Sequence, residues 1–309
     1  MCYTLQYMKL LLGNNQSEKF VAFYDGLRQK SDVPFDYVGY ESLLFMFDSS
    51  AIQPVSLMNL KHNRLITDYD GVYINNYVNT YELAAATAIV VEKLGIPYAN
   101  HEFNNPLSLS KLTEYAKLAA GQIAIPRTLA GSKAALLHTG TKSRLNAFPY
   151  VLKRADSDRG VDNYMVKDYE AIASLLEEHA NRSIWILQEF VPNDGYYRVA
   201  YNGGVAQYAI FRSLQPRPDG NELKAHMFRP KGGENAELVD LDNLPSSVRV
   251  MSDDAVRVMN RQFAGVDCLY SAETGKGTII EVNYNPQLVT IESFTDIRQA
   301  AFIEGLKRI

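Results

Sequence analysis

Two oxygen-bearing side chains, Glu281 and Asn283, stand two residues apart in a run rich in β-branched residues, 278–286. Such a run predicts a β-strand, whose side chains alternate between two faces. Glu281 and Asn283 would therefore share one face, with Cα atoms about 6.6 Å apart. The other face would carry Ile280, Val282 and Tyr284. Oxygen ligands at this spacing suit a hard cation such as Mg²⁺; the alternative is the polar, solvated face of an edge strand.

An acidic residue on the preceding strand-like segment, 266–270, can reach the same cation. The sequence Gly275–Lys276–Gly277 separates this segment from the 278–286 run and favours a hairpin between them. In such a hairpin Asp267 can face the same side as Glu281. The candidate metal ligands are therefore Asp267, Glu281 and Asn283.

A lysine ends another apolar segment, 149–153, and a loop of turn-forming residues follows it at 155–161. Backbone N–H groups of such a loop can surround phosphate oxygens while Lys153 supplies positive charge. A hairpin with a polar tip is the alternative. A second lysine, Lys111, opens a predicted helix at 111–120, where the helix dipole disfavours a cation. An anion shared by Lys111 and the helix terminus would explain this position, as would ordinary solvation.

Residues 184–191 form a nearly continuous apolar run that ends in polar residues, and this predicts a buried strand. Its last four residues are Gln188, Glu189, Phe190 and Val191. The pair Asn202–Gly203 then favours a hairpin that joins a strand carrying Arg198 to one carrying Arg212.

Taken in order, these segments resemble the ATP-grasp superfamily, and most nearly its RimK-type carboxylate–amine ligases, over about residues 106–309. The resemblance implies ATP and Mg²⁺ as ligands, with Mn²⁺ as an alternative metal. By this resemblance Lys111 and Lys153 would bind the phosphates, and Gly160 would belong to a loop that covers them. The backbone of Gln188, Glu189, Phe190 and Val191 would bind adenine. Asp267, Glu281 and Asn283 would bind Mg²⁺. Arg212 would steady the transferred phosphoryl group, and Arg198 lies where the family has an arginine on the next strand.

Two departures from the family pattern bear on nucleotide binding. Acidic residues surround Gly160, namely Asp156, Asp158 and Asp162, and they repel phosphate unless Arg159 or Mg²⁺ offsets them. Tyr196 or Tyr197 replaces the acidic residue that often precedes the family's post-hinge arginine. Asp194 is the nearest substitute for a ribose contact.

Composition excludes several classes of protein. The chain has 309 residues, 47% of them apolar, and a formal net charge of −4, which gives no support for nucleic-acid binding. Its two cysteines support neither a disulfide framework nor a zinc site. Because no apolar run approaches the roughly 20 residues that span a bilayer, and the first residues do not resemble a signal peptide, we expect a cytoplasmic protein without membrane contacts.

Strands alternate with helices over the first hundred residues, which predicts a small open α/β layer. With the resemblance, the predicted fold is α/β, with α+β parts. The predicted divisions are an N-terminal α/β domain at 1–105, a central ATP-grasp subdomain at 106–187 and a C-terminal subdomain with the metal site at 188–309. The C-terminal helix is interpreted as core packing through Phe294, Ile297, Ala301 and Ile303.

The function implied is ATP-dependent joining of a carboxylate to an amine through an acyl phosphate, with small molecules or peptides as substrates. The alternatives are an ATP-grasp kinase, a ligase with a non-amine acceptor, and an inactive nucleotide-binding regulator. A homo-oligomer is left open. A long loop at 213–237, rich in Pro, Gly and charge, is expected to close over an anionic substrate, the alternative being a solvated excursion.

Overall fold

The structure, a computed structural model, describes residues 8–14, 17–76, 80–105, 110–145, 148–155, 163–178, 184–213, 236–284 and 294–309. Gly160 and its acidic neighbours lie outside these ranges, as do residues 214–235 of the long loop. Within the described ranges, no helix has both the length and the apolar character needed to cross a membrane.

A small parallel sheet flanked by helices occupies the N-terminal part of the chain. Its elements are β1 (Lys9–Leu12), α1 (Glu18–Lys30), β2 (Phe35–Val38), β3 (Leu43–Phe47), β4 (Val55–Asn59), β5 (Arg64–Leu65), β6 (Gly71–Tyr73), α2 (Tyr81–Lys93) and β7 (Tyr98–Ala99). The parallel strands run in the order β2–β1–β6–β7, and β3–β4–β5 form a separate antiparallel sheet. The predicted open α/β layer is confirmed.

An antiparallel sheet in the order β10–β9–β11–β8 follows. The elements here are α3 (Lys111–Ala120), β8 (Thr128–Ser132), α4 (Lys133–Leu136), α5 (Thr139–Lys142), β9 (Tyr150–Arg154), β10 (Asn163–Val166), α6 (Tyr169–Glu177) and β11 (Ile184–Glu189). Alternate residues of β9 and β11, including Leu152, Trp185 and Leu187, point to α6 and pack against its Ile172 and Leu176. This leaves the opposite face of the sheet to Lys153 and Gln188.

The C-terminal sheet is antiparallel, in the order β14–β13–β12–β15–β16. Its elements are β12 (Gly195–Asn202), β13 (Val205–Ser213), β14 (Ala236–Val239), α7 (Ser246–Met259), β15 (Ala264–Ser271), β16 (Lys276–Asn283) and α8 (Thr295–Leu306). One face, with Val199, Val266 and Val282, packs against α7 and against Leu118 of α3. On the other face, Ala200, Tyr208 and Ile210 pack against Ala301 of α8.

Helix α3 is thus part of the core beneath the C-terminal sheet, although it precedes β8 in the chain. The chain divisions after residues 105 and 187 stay predictions. The α/β architecture with a pair of antiparallel sheets after an N-terminal parallel layer is as expected.

A buried cluster of charges joins the N-terminal layer to this core. Arg261, after α7, donates from Nε to Glu102 and from Nη1 to Glu114 of α3, the latter over 2.9 Å. All three side chains are buried, and the guanidinium lies 5.4 Å from the ring centre of Tyr284. We call Glu102, Glu114 and Arg261 the junction cluster.

Candidate active site

The polar residues predicted for the site share one face of the C-terminal sheet. Arg198 of β12 pairs with Asp267 of β15, and Asp267 pairs with Glu281 of β16, so the three residues form a row across three strands. Asn283 lies two residues beyond Glu281 on β16 and opposite Gly265. We call the surface carrying Arg198, Arg212, Asp267, Glu281, Asn283 and Arg298 the site face.

The strand that carries Glu281 and Asn283, the predicted metal ligands, contains an irregularity that the sequence did not predict. The register shifts after Asp267, which leaves Ile280 as an extra residue between Ile279 and Glu281. Ile279 and Val282 are therefore the buried core residues, and Ile280 is only half buried. The expectation that Ile280 shares the core face with Val282 is wrong, because the bulge resets the alternation. Glu281 and Asn283 remain on the site face.

Arg198 and Asp267 form a buried pair with two parallel hydrogen bonds. Arg198 Nε donates to Asp267 Oδ1 over 2.5 Å, and Nη2 donates to Oδ2. Burial alone lowers the pKa of Arg198, but the charge and hydrogen bonds of Asp267 outweigh it and raise that pKa. Arg198 therefore stays protonated. Burial raises the pKa of Asp267, and the charge and hydrogen bonds of Arg198 oppose that shift.

The predicted metal ligands Asp267, Glu281 and Asn283 supply two carboxylates and one amide. Each oxygen of Asp267 accepts one N–H and keeps a further lone pair. Asn283 donates from Nδ2 to the carbonyl of Gly265 over 3.5 Å, which leaves its oxygen without a role in that hydrogen bond. Within the described ranges, no three Asp, Glu, His or Cys residues cluster as a metal site. Two carboxylates and one amide oxygen nevertheless suit Mg²⁺, which completes its coordination shell with water and phosphate.

Arg212 lies at the edge of the same face. Its Nη1 donates to the hydroxyl of Tyr196 over 3.3 Å, and its guanidinium carbon lies 6.0 Å from the centre of that ring. Burial, followed by the charge of Asp267, raises the pKa of Tyr196. The phenol thus stays neutral and orients Arg212, which is half buried and within electrostatic range of Asp267.

Lys153 faces the site from the other sheet. Its Nζ donates to Gln188 Oε1 over 2.5 Å and lies 5.9 Å from the ring centre of Tyr115. Burial lowers the pKa of Lys153 to about 8, with Glu281 opposing the shift and Lys111 adding to it. Lys153 is therefore close enough to sense both Lys111 and Glu281, and the structure brings together these three residues, which are predicted to bind phosphates and metal.

Lys111 is the first residue of α3, as predicted. Ser110 caps the helix by accepting from the backbone N–H of Thr113 over 3.2 Å, so one of the terminal N–H groups already has a partner. Lys111 is half buried, and its charge lowers the pKa of Lys153. The two cations lie near each other at the helix terminus, which favours a shared anion.

In the segment from Gln188 to Val191, fewer backbone N–H and carbonyl groups are free to bond adenine than expected. The N–H of Glu189 donates to the carbonyl of Arg127 over 2.9 Å, and the N–H of Phe190 donates to Pro149 over 3.1 Å. The carbonyl of Val191 accepts from the Asn193 side chain over 2.8 Å. An adenine edge placed here would use carbonyl groups of the segment or the N–H of Val191.

Two residues that hold these parts together could not be identified from the sequence. Tyr115 donates its hydroxyl to the carbonyl of Ile280 over 2.9 Å and lies 3.4 Å from Gln188 Oε1, so it links α3, β11 and β16. Glu114 accepts from the backbone N–H of Val282 over 2.8 Å. Both anchor the strand that carries Glu281 and Asn283. A polar residue next to Tyr is common on amphipathic helices, so the spacing of Glu114 and Tyr115 did not indicate that they contact β16.

Comparison with known proteins gives one family. A family model described as the RimK-like ATP-grasp domain matches residues 110–304, more than half of the chain. Among curated proteins, none matches the sequence significantly.

Three solved structures share the fold. The ATP-grasp ligase PsnB, complexed with a phosphomimetic variant of a minimal precursor, Mg and ADP, matches with a TM-score of 0.67 and 13% identity, over 97% of this chain and 96% of that chain. D-alanine–D-alanine ligase from Bacillus anthracis, complexed with ATP, matches with a TM-score of 0.64 and 16% identity, over 98% and 96%. A RimK domain ATP-grasp protein from Sphaerobacter thermophilus matches with a TM-score of 0.59 and 14% identity, over 96% and 97%.

Proposed function

The chain belongs to the RimK-like ATP-grasp family, and on this premise we propose that it is an ATP-dependent ligase that joins a carboxylate to an amine. The substrates proposed are amino acids and peptides, since one structural neighbour was solved with a peptide precursor and another is a D-alanine–D-alanine ligase. One observation carries the proposal: Lys153 of the central sheet lies 5.9 Å from the ring centre of Tyr115, whose hydroxyl donates to the carbonyl of Ile280, the residue before Glu281 on the C-terminal sheet. Cation and carboxylate thus meet between the two sheets, where a metal–triphosphate would bind.

The first chemical step transfers a phosphoryl group. A carboxylate oxygen of the substrate attacks the γ-phosphorus of ATP, the bond from that phosphorus to the β–γ bridging oxygen breaks, and ADP leaves with the bond's electrons. Lys111 and Lys153 would hold the phosphates, and Arg212 would stabilise the charge that spreads over the transferred group. Tyr196 keeps the Arg212 guanidinium oriented.

The second step forms the amide. The amine nitrogen attacks the carbonyl carbon of the acyl phosphate, the carbon–oxygen bond to phosphate breaks, inorganic phosphate leaves, and the nitrogen loses a proton to solvent. Within the described site, the side chains are cations, carboxylates, amides and phenols held in place by packing. This composition suits positioning and charge stabilisation rather than covalent catalysis by the protein.

Mg²⁺, when bound, supplies charge neutralisation for the phosphates, and Asp267, Glu281 and Asn283 would hold it. Calorimetry with a non-hydrolysable ATP analogue tests this assignment. We expect much tighter binding with Mg²⁺ than with a chelator, and weaker binding in Glu281→Gln. Equal affinity with metal and chelator would show that these residues do not form a metal site.

Substrate identity is tested by an ADP-release screen over amino acids, short peptides and peptide C-termini, with products identified by mass. Active combinations are then repeated with Lys153→Met and with Lys276→Met, a control that removes an exposed lysine from β16. Hydroxylamine should trap the activated carboxylate as a hydroxamate, and ¹⁸O in the substrate carboxylate should appear in the released phosphate. Absence of that transfer in an active reaction would rule out the acyl phosphate.

A further inference from the structure

One buried cation on the site face has no assigned role. Arg298 of α8 is 1% exposed, and among the described residues its Nε, Nη1 and Nη2 atoms make no hydrogen bond. The hydroxyl of Tyr208 on β13 lies beside this guanidinium, but the two groups are not aligned for a hydrogen bond, and the hydroxyl has no other partner among the described residues. A guanidinium stays protonated even when buried and carries five N–H donors. An anion with several acceptor atoms would match these donors and neutralise the charge.

The position of Arg298 directs it toward the sheet. Phe294, Arg298 and Ala301 follow a spacing of four and three residues, which places them on one face of α8. Phe294 and Ala301 pack against the cluster of Ala200, Tyr208 and Ile210 on β12 and β13. Arg298 lies between them and is thus held over the same strands that carry Arg198 and Arg212.

No described acidic group satisfies Arg298. Asp267, on the same face of the sheet, gives both oxygens to Arg198. The charges that act on Arg298 are instead those of Arg198 and Arg212, both repulsive, while the Tyr208 hydroxyl is its one favourable neighbour. Three guanidinium groups therefore stand on this part of the face, and only one of them is neutralised by a bidentate carboxylate.

We infer that Arg298, with Tyr208, binds a substrate carboxylate that does not itself react, most simply that of the amine-bearing substrate. This rests on the proposed function. Tyr208 is four residues from Arg212 along β13, about 13 Å of strand, so Tyr208 with Arg298 and Arg212 can hold different groups of one substrate pair. Carboxylates accept two parallel N–H bonds from arginine, which matches the unused donors. The substrate class is thus an amino acid or peptide with a free carboxylate besides its reacting group.

The first test is the stability of the unliganded protein. An arginine with a structural partner stabilises the fold, whereas one reserved for a ligand destabilises it until the ligand binds. We expect Arg298→Met to melt about 2–4 °C higher than the wild type in chloride-free buffer. Arg257→Met, which removes an exposed arginine paired with Asp254, should melt close to the wild type. A lower melting temperature for Arg298→Met would overturn the inference, because it would reveal a structural role.

The second test is binding without nucleotide, measured by calorimetry with L-glutamate, L-glutamine, isoglutamine and inorganic phosphate. We expect L-glutamate to bind the wild type and Arg257→Met alike, about tenfold or more weakly to Arg298→Met, and roughly threefold more weakly to Tyr208→Phe. L-glutamine lacks the side-chain carboxylate of glutamate, and isoglutamine lacks the α-carboxylate. Whichever of the two binds the wild type more weakly than L-glutamate identifies the carboxylate held by Arg298. The inference fails if no carboxylate binds in a way that depends on Arg298, or if only phosphate does.

A separate titration with the Mg²⁺ complex of the non-hydrolysable ATP analogue distinguishes the two proposals. Arg298→Met should bind this complex with the affinity of the wild type, since Lys111, Lys153 and the metal ligands are unchanged. If neither protein bound the nucleotide complex, the ligase proposal would be contradicted. The glutamate titrations would still test the role of Arg298.

Discussion

Two buried groups of charges in this protein differ in how completely they are neutralised. In the junction cluster, Arg261 is held by two carboxylates, and Glu114 also accepts a backbone N–H. On the site face, Arg198 is paired with a carboxylate, Arg212 donates to the phenol of Tyr196, and Arg298 makes no hydrogen bond to the described residues. The first group has a surplus of acid and the second a surplus of base.

This difference separates architecture from ligand binding. A buried charge that is fully paired within the chain fixes the relative placement of the elements that carry it, here the N-terminal layer, α3 and β16. A buried charge without a partner lowers stability unless a ligand supplies one. Removing charge from the junction cluster should therefore cost stability, and removing charge from the site face should cost activity or binding.

The largest effect is expected at Arg261. Replacing it by Met leaves the carboxylates of Glu102 and Glu114 buried without their cation, so the free energy of unfolding should fall by about 3–5 kcal/mol. Urea unfolding followed by circular dichroism measures the change. Arg257→Met serves as the matched control, because its exposed pair should matter little. If the two variants unfolded at the same urea concentration, the junction cluster would have no special structural role.

A second prediction concerns the pH dependence of the junction cluster. Burial raises the pKa of Glu114 to about 7, with Arg261 opposing and Glu281 adding to the shift. The folded state therefore holds a proton that the unfolded chain releases near pH 4.5. The stability linked to this proton is full below pH 4.5 and is lost as pH rises through 7, by about 3 kcal/mol at most.

Comparison of wild type with Glu114→Gln isolates this contribution. As pH rises from 5 to 8, the free energy of unfolding of the wild type should fall relative to that of Glu114→Gln. The measurement is urea unfolding at each pH. Parallel curves for the two proteins would show that Glu114 does not titrate in this range.

The third prediction returns to the site face. Arg212→Lys keeps the charge but loses the planar array of donors, so turnover should fall about 10²-fold. Affinity for Mg·ATP should change far less, because the phosphates are assigned chiefly to Lys111 and Lys153. Steady-state kinetics on a substrate found by the screen, together with calorimetry, tests the split. A variant that lost nucleotide affinity and turnover equally would make Arg212 a binding residue.

Much of this arrangement could be predicted from the sequence. The hairpin of β15 and β16, the strand ending near Lys153 and the helix opening at Lys111 all follow local rules of alternation, turn chemistry and capping. The resemblance then supplied the order of parts, and the family match confirms it. These features were accessible because each is encoded within about ten neighbouring residues.

What could not be predicted depends on contacts between distant segments. The bulge at Ile280 follows from pairing with β15. In α8, Ile297 is 37% exposed while Arg298 is buried, the reverse of what hydrophobicity predicts. An arginine on a helix is usually solvated, and only the packing of α8 on β12 and β13 shows that this one is not.

The smallest predicted effect sharpens the role of Lys153. Because its pKa is lowered to about 8 by burial, the ammonium that attracts phosphate is progressively lost above that pH. Affinity for the Mg²⁺ complex of a non-hydrolysable ATP analogue should fall about fivefold between pH 8 and pH 9, in proportion to the protonated fraction. Lys153→Arg keeps its charge over this range, so its affinity should stay level even if it is lower at every pH. Calorimetry at half-unit pH intervals measures both profiles. If the affinity of the wild type were as independent of pH as that of Lys153→Arg, phosphate binding would not depend on the Lys153 ammonium. Other cations, including those of the site face, would then have to bind the phosphates.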